Sequence, residues 1–108
     1  MKQNEFPSAD VFTVAKSIEY ASGAIVSKIV MKKPAGNVTL FAFDAGEELS
    51  EHTSPFEAMV QIIDGSAEIS ISGRSFKLYS GESIILPGNV PHAVKAQERF
   101  KMLLTMLK

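Results

Sequence analysis

The sequence contains no cysteine. That excludes a disulfide framework, a thiolate nucleophile and any sulfur-ligated metal centre. Catalysis, if present, must use histidine, carboxylates, hydroxyls, lysine, tyrosine or a metal held by nitrogen and oxygen. Charge of one sign is also missing: eleven Lys and Arg face twelve Asp and Glu, a formal net charge of −1. So balanced a chain has no global field to attract nucleic acid or an anionic membrane. No apolar run approaches the roughly 20 residues that span a bilayer. The stretch from Met1 to Asp10 lacks the apolar core of a signal peptide. A cytoplasmic, soluble protein is expected, with neither nucleic acid nor membrane as partner. Internal repeats, low-complexity stretches, Gly-rich phosphate loops, serine nucleophile elbows and zinc-finger spacings are likewise absent.

What is present is a chain of 108 residues, 45% hydrophobic and 21% charged, the size and composition of one globular domain. Residues 1–23 read as an arm. Within it Asp10 is placed to cap a short helical turn over Val11 to Ile18, with Val11, Val14, Ala15 and Ile18 on one side. From residue 24 to 108 the pattern becomes β. Val- and Ile-rich Ala24 to Met31 is followed by a turn signal, Lys32-Lys33-Pro34-Ala35-Gly36-Asn37. Val38, Leu40 and Ala42 then alternate with Thr39, Phe41 and Phe43, and both sets are largely apolar, so both faces of that strand are expected to be covered. Asp64-Gly65 after the apolar run Ala58 to Ile63 is a two-residue hairpin signal. Turn signals recur every 6–12 residues, which points to an all-β barrel or sandwich. The tail is ambiguous, because Phe100, Leu103, Leu104 and Leu107 lie at helical spacing.

Two glycine-bounded blocks stand out. The first runs Gly46, five residues, His52, then Ser54, Ala58 and, after six more residues, Gly65. The second runs Gly81, five residues, Pro87, then Asn89 and, after two more, His92. These spacings resemble the two sequence motifs of the cupins, in particular the small one-domain members. The first cupin motif is Gly, five residues, His-x-His, three or four residues, Glu, six residues, Gly; the second is Gly, five residues, Pro-x-Gly, two residues, His, three residues, Asn. The resemblance covers about Ala24 to Leu107. It implies an all-β, antiparallel jelly-roll barrel, and it implies that the tail from residue 100 to 107 is a strand despite its helical spacing. Asn89 stands where the family has Gly, and Asn is the residue next most tolerant of a left-handed backbone.

The departures bear on function. Metal-binding cupins use both histidines and the Glu of the first motif with the His of the second. His52 and His92 match the first and last of these, Ser54 and Ala58 replace the other two, and Ala96 replaces the terminal Asn. His52 and His92 are the only two histidines in the chain. A divalent site usually takes three or four protein ligands. Glu57, one residue from the expected carboxylate, is a weak third ligand candidate, because strand pleating turns it to the opposite face unless a bulge or the Pro55 kink re-aims it. Glu47, Glu48 and Glu51 are expected on the rim.

Three readings remain open. In one, His52 and His92, with Ser54, bind a small polar or sugar-like metabolite in the barrel without metal or with weak metal binding. In another, the two histidines hold one divalent ion (Mn, Fe, Ni, Cu or Zn) for oxygenase, isomerase or sugar-modifying chemistry. In the third they are inherited hydrogen-bonding groups in a barrel without an active pocket. The resemblance also implies a homodimer in which Met1 to Val14 is exchanged between protomers. Met31, Met59, Met102 and Met106 are expected to fill the barrel or an interface, Phe41, Phe43, Phe56 and Phe100 to be core, and Lys28, Lys32 and Lys33 to be a solvated face.

Overall fold

The computed structural model describes residues 6–108. One 3-10 turn, Val14–Lys16, precedes eight strands: β1 (Ile25–Lys33), β2 (Gly36–Phe43), β3 (Glu48–His52), β4 (Glu57–Ile71), β5 (Arg74–Tyr79), β6 (Ser83–Leu86), β7 (His92–Lys95) and β8 (Phe100–Leu107). Every pairing is antiparallel. One face is β1-β2-β8-β4-β6, the other β3-β7-β4-β5, and the long strand β4 belongs to both. The result is the curled antiparallel jelly-roll expected from the sequence. No helix among the described residues is long and apolar enough to cross a membrane.

β4 corrects one expectation. Asp64-Gly65 does not close a hairpin; the strand runs through it. Its first half pairs with β6 and β8, its second with β5 and β7, and the register slips between Ile62 and Asp64. Gly65 is the pivot, with φ +73° and so close to the Arg99 carbonyl that a Cβ would lie 2.1 Å from its oxygen. A glycine that looks like a turn residue here lets one strand bend from one sheet face into the other.

The tail is a strand because both its edges are occupied, by β2 on one side and β4 on the other. Phe100 and Met102 are buried on its inner side. In the barrel interior Phe43, Val60, Ile62, Ala67, Ile69, Leu78, Leu86, Val94, Ala96, Phe100 and Met102 form one cluster, with Phe43 and Phe100 stacked at 4.5 Å.

The other side of β2 is covered too. Leu40 and Ala42 are buried with Val30 and Ile18, and Phe6, Val14, Tyr20 and Leu103 pack around them. The arm is therefore a lid on the outer face of the first sheet. Lys101 Nζ donates to the Ala15 carbonyl at 2.6 Å, Lys28 Nζ to that of Ser17 at 2.9 Å, and Tyr20 Oη to Asp64 at 2.6 Å. Arg99 and Lys101 lie over the Tyr20 ring. Asp44 accepts from Arg99 Nε at 2.8 Å and from the Gly23 N–H at 2.7 Å, and these bonds, Gly23 first, hold its carboxyl below the usual range. Desolvation, then the bond to Asp64, raises the Tyr20 phenol well above its ordinary value.

The expected helical turn is shorter than the sequence suggested. Thr13, not Asp10, is its N-cap, and no side chain caps it. A single turn cannot hold an apolar stripe, so Val14 and Ile18 reach the sheet while Val11 is fully exposed. The expected exchange of Met1 to Val14 falls partly on residues 1–5, outside the described residues; within the single chain Phe6 and Val14 pack beside Ile18, Val30, Leu40 and Ala42.

Candidate functional site

His52 ends β3 and His92 opens β7, directly opposite one another in the ladder. What places them there is a bulge. Leu49 pairs with Val94 and His52 with His92, so three steps along β3 match two along β7. In a regular strand His52 would face away from Leu49, which packs on the barrel core. The extra residue re-phases the strand and brings Leu49, Val94, His52 and His92 to the same inner face.

The two rings lie 4.3 Å apart, edge to face at 67°. His92 is buried at 8% exposure, while His52 is exposed at the mouth. Each ring is oriented by the backbone two residues before it: His52 Nδ1 is 2.9 Å from the Ser50 carbonyl and His92 Nδ1 is 3.2 Å from that of Val90. A carbonyl only accepts, so Nδ1 carries the proton in both rings. In the neutral form of each ring Nε2 is then unprotonated, and the two together offer a pair of lone pairs at one end of the barrel.

The remaining candidates divide. Ser54 is half-buried in the loop after β3; its hydroxyl accepts the Phe56 N–H at 3.3 Å and its carbonyl accepts the Asn89 N–H at 2.7 Å. That second bond ties the two motif loops together. Asn89 has φ +63°, the left-handed conformation for which it replaces Gly. Ala58 packs on the inner cluster, opposite Leu86. Glu57, its neighbour, is exposed and pairs with Leu107 on the outer face, so the pleat, not a bulge, decides its direction. Glu57 is not grouped with the two histidines. Among the described residues no three or more His, Cys, Asp or Glu side chains are grouped to hold a metal. Glu48 sits on the outer rim opposite Lys95.

Two polar residues were not singled out from the sequence. Thr39 belongs to the inner set of β2 with Phe41 and Phe43, and its hydroxyl donates to Asn37 Oδ1 at 3.3 Å. A hydroxyl among aromatic residues in that alternating set was the signal available. Register puts Asn37 beside Met106, and Met106 beside Ala58, at the end of the barrel that β4 enters from the His52 loop.

The sequence model of the cupin domain matches residues 39–106, more than half of the chain and both histidine motifs. The chain is a cupin. Its structure is similar to a conserved protein of unknown function, SPY1581, from Streptococcus pyogenes, at 31% identity over 100% of this chain and 95% of that one, with a TM-score of 0.92. A cupin 2 conserved barrel domain protein from Leptotrichia buccalis is 42% identical over 90% of this chain, with a TM-score of 0.87. This cupin spans only 47% of that protein. Among curated proteins, polyketide synthase CurC from Streptomyces cyaneus is 25% identical over 69 residues, 63% of this chain and 45% of its own length. This cupin thus spans less than half of that relative.

Proposed function

We propose that this cupin binds a small polar metabolite at the barrel mouth, with His52 and His92 accepting hydrogen bonds from its hydroxyl or amino groups. The observation that supports this is the orientation of the pair: both Nδ1 atoms are engaged by backbone carbonyls, which leaves both Nε2 lone pairs free to accept. One buried and one exposed ring, with Ile71 of the apolar cluster opposite His92 in the ladder, match the usual make-up of a ligand site, a few polar groups on an apolar surface.

The donor set does not fit the four-ligand metal site of the family. Two imidazole nitrogens remain, Ser54 and Ala58 stand at the other positions, and Glu57 faces outward. Two donors fall short of the three or four that hold a divalent ion firmly. Binding in this reading is metal-free or weakly metal-assisted. The two Nε2 atoms can also take up and return a proton to a bound ligand, the one acid–base capacity this site has.

The test is a thermal-shift screen of polyols, sugars and hydroxy acids, with elemental analysis of the untagged protein. A ligand at about ten times its Kd stabilises by about 1.4 kcal/mol, or about 6–11 °C in a domain of this size. The expected result is such a shift in the wild type, its loss in His52→Ala and in His92→Ala, and substoichiometric metal. Stoichiometric Mn, Fe, Ni, Cu or Zn that disappears in the double variant would overturn the reading in favour of a metal-dependent cupin enzyme.

A further inference from the structure

We propose that Arg74 holds the acid end of the ligand, so that the compound taken up at His52 and His92 is a small hydroxy acid. The inference rests on the binding function argued above and names the class of ligand. Its basis is one row of ladder partners. His52 pairs with His92, His92 with Ile71, and Ile71 with Arg74. Residues directly opposite in antiparallel strands project to the same face, and Ile71 packs on the barrel cluster. Arg74 therefore stands in the row of the two histidines, at the same end of the barrel.

Two local features hold it there. Ser72 and Gly73, at φ +51° and +81°, form the two-residue turn between β4 and β5, and that turn sets Arg74 opposite Ile71. Phe76, two residues on and hence on the same side, packs on the barrel cluster. Arg74 Cζ lies 4.9 Å from the centre of the Phe76 ring, so the ring orients a side chain that is otherwise exposed. The guanidinium has no ion-pair partner among the described residues, which leaves its charge to a ligand.

The class of ligand follows from the two ends of the row. The imidazoles offer lone pairs, which accept from a hydroxyl. The guanidinium offers N–H donors in a planar fork that matches a carboxylate. His92 and Arg74 are two strand spacings apart, about 10 Å at the backbone, and their side chains narrow that gap to the length of a small molecule. Ile71 lies between them and gives the carbon skeleton an apolar wall. An amine would face the charge of the guanidinium, and a neutral polyol would leave it unused. The row holds no second cation, which favours a singly charged carboxylate over a phosphate of nearly twice the charge.

Calorimetric titration of the full chain with glycolate, lactate and glycerate, each against its amide, tests this. The wild type is expected to prefer acid over amide about tenfold, the scale of one hydrogen-bonded charge. Arg74→Gln, at an exposed site, is expected to reduce that preference to within about twofold, and Arg74→Lys, which keeps the charge and loses the fork, to about threefold. Lys77→Gln makes the same charge change on the outer face of β5, opposite Glu68, and is expected to leave the preference as it is. His52→Ala is expected to abolish binding of acid and amide alike. Equal affinity for acid and amide in the wild type, or a preference that survives Arg74→Gln, would overturn the role of Arg74 and leave the histidine site standing. Acid binding that needs Arg74 but survives His52→Ala would overturn the shared site. No binding of any acid overturns the hydroxy-acid assignment, and a sugar or polyol that still binds through the histidines would show that the broader function holds without it.

Discussion

The two histidines differ in burial, and that difference separates their contribution to folding from their contribution to binding. In His92→Ala the lost ring is 92% shielded by the fold, since only 8% of the residue is exposed. Its removal leaves the Val90 carbonyl without its donor, worth about 1 kcal/mol, and opens a void in the barrel that adds about 1–2 kcal/mol. The expected destabilisation is therefore about 2–3 kcal/mol, a fall in Tm of about 8–24 °C in a domain of this size. His52→Ala removes an exposed ring whose bond to the Ser50 carbonyl lies in solvent. Its expected cost is within about 0.5 kcal/mol, the usual range for a surface change. Urea unfolding followed by circular dichroism measures both. If His52→Ala costs as much as His92→Ala, or if His92→Ala is neutral, the burial difference is not what the structure describes. Ligand binding, in contrast, is expected to be lost in both.

Restoring the missing donors should create a metal site. Ser54→His with Ala58→Glu is expected to tighten zinc binding by about 10⁴-fold, taking about 3 kcal/mol for each added ligand from the range for four-ligand sites; calorimetric titration showing no gain would mean that positions 54 and 58 do not converge on the histidines. Alkali is expected to loosen the arm. The Tyr20 phenol is raised in the folded state, by desolvation first and the Asp64 bond second, so its stabilisation is complete below the unfolded pKa of about 10 and is lost as pH rises further. Wild type should therefore lose stability relative to Tyr20→Phe above about pH 10, and parallel pH curves for the two would refute this. The Asp44 carboxyl is lowered, so its contribution holds above the ordinary carboxylate range and disappears as pH falls through it; Asp44→Asn should flatten the acid limb of the stability curve, and an unchanged limb would count against the Gly23 and Arg99 bonds. Gly65→Ala should cost about 3 kcal/mol or more through left-handed strain and collision with the Arg99 carbonyl, whereas Gly73→Ala, with φ +81° and open space, should cost only about 1 kcal/mol; equal values in thermal unfolding would remove Gly65 as the pivot of β4.

The barrel was legible because its periodicities are strong. The alternation of Val38, Leu40 and Ala42 with Thr39, Phe41 and Phe43 foretold a strand covered on both faces, and one set does line the barrel while the other lies under the arm. The pleat also foretold that Glu57 would turn away from the histidines. Local signals failed where long-range pairing decided the outcome. Asp64-Gly65 reads as a hairpin turn because a turn and a bend between sheets both demand a residue free to adopt positive φ. Phe100 to Leu107 has helical spacing, and only the ladders on both its edges make it a strand. Asp10 resembles a cap, but the turn that follows is too short to need one. The histidine pair was visible by spacing from the two motifs. Its orientation was not, because the bulge that re-phases β3 leaves no mark between Leu49 and His52.

The proposed site depends on two imidazoles that each hold a proton on Nδ1 and offer Nε2. With only two histidines in the chain, a long-range proton–nitrogen NMR correlation of the imidazole rings reads both tautomers directly. At a pH where both rings are neutral, the prediction is two ring systems, each with a protonated Nδ1 and an unprotonated Nε2, and with a dipolar contact between the rings. A protonated Nε2 on either ring, or two rings without contact, would contradict the site described here.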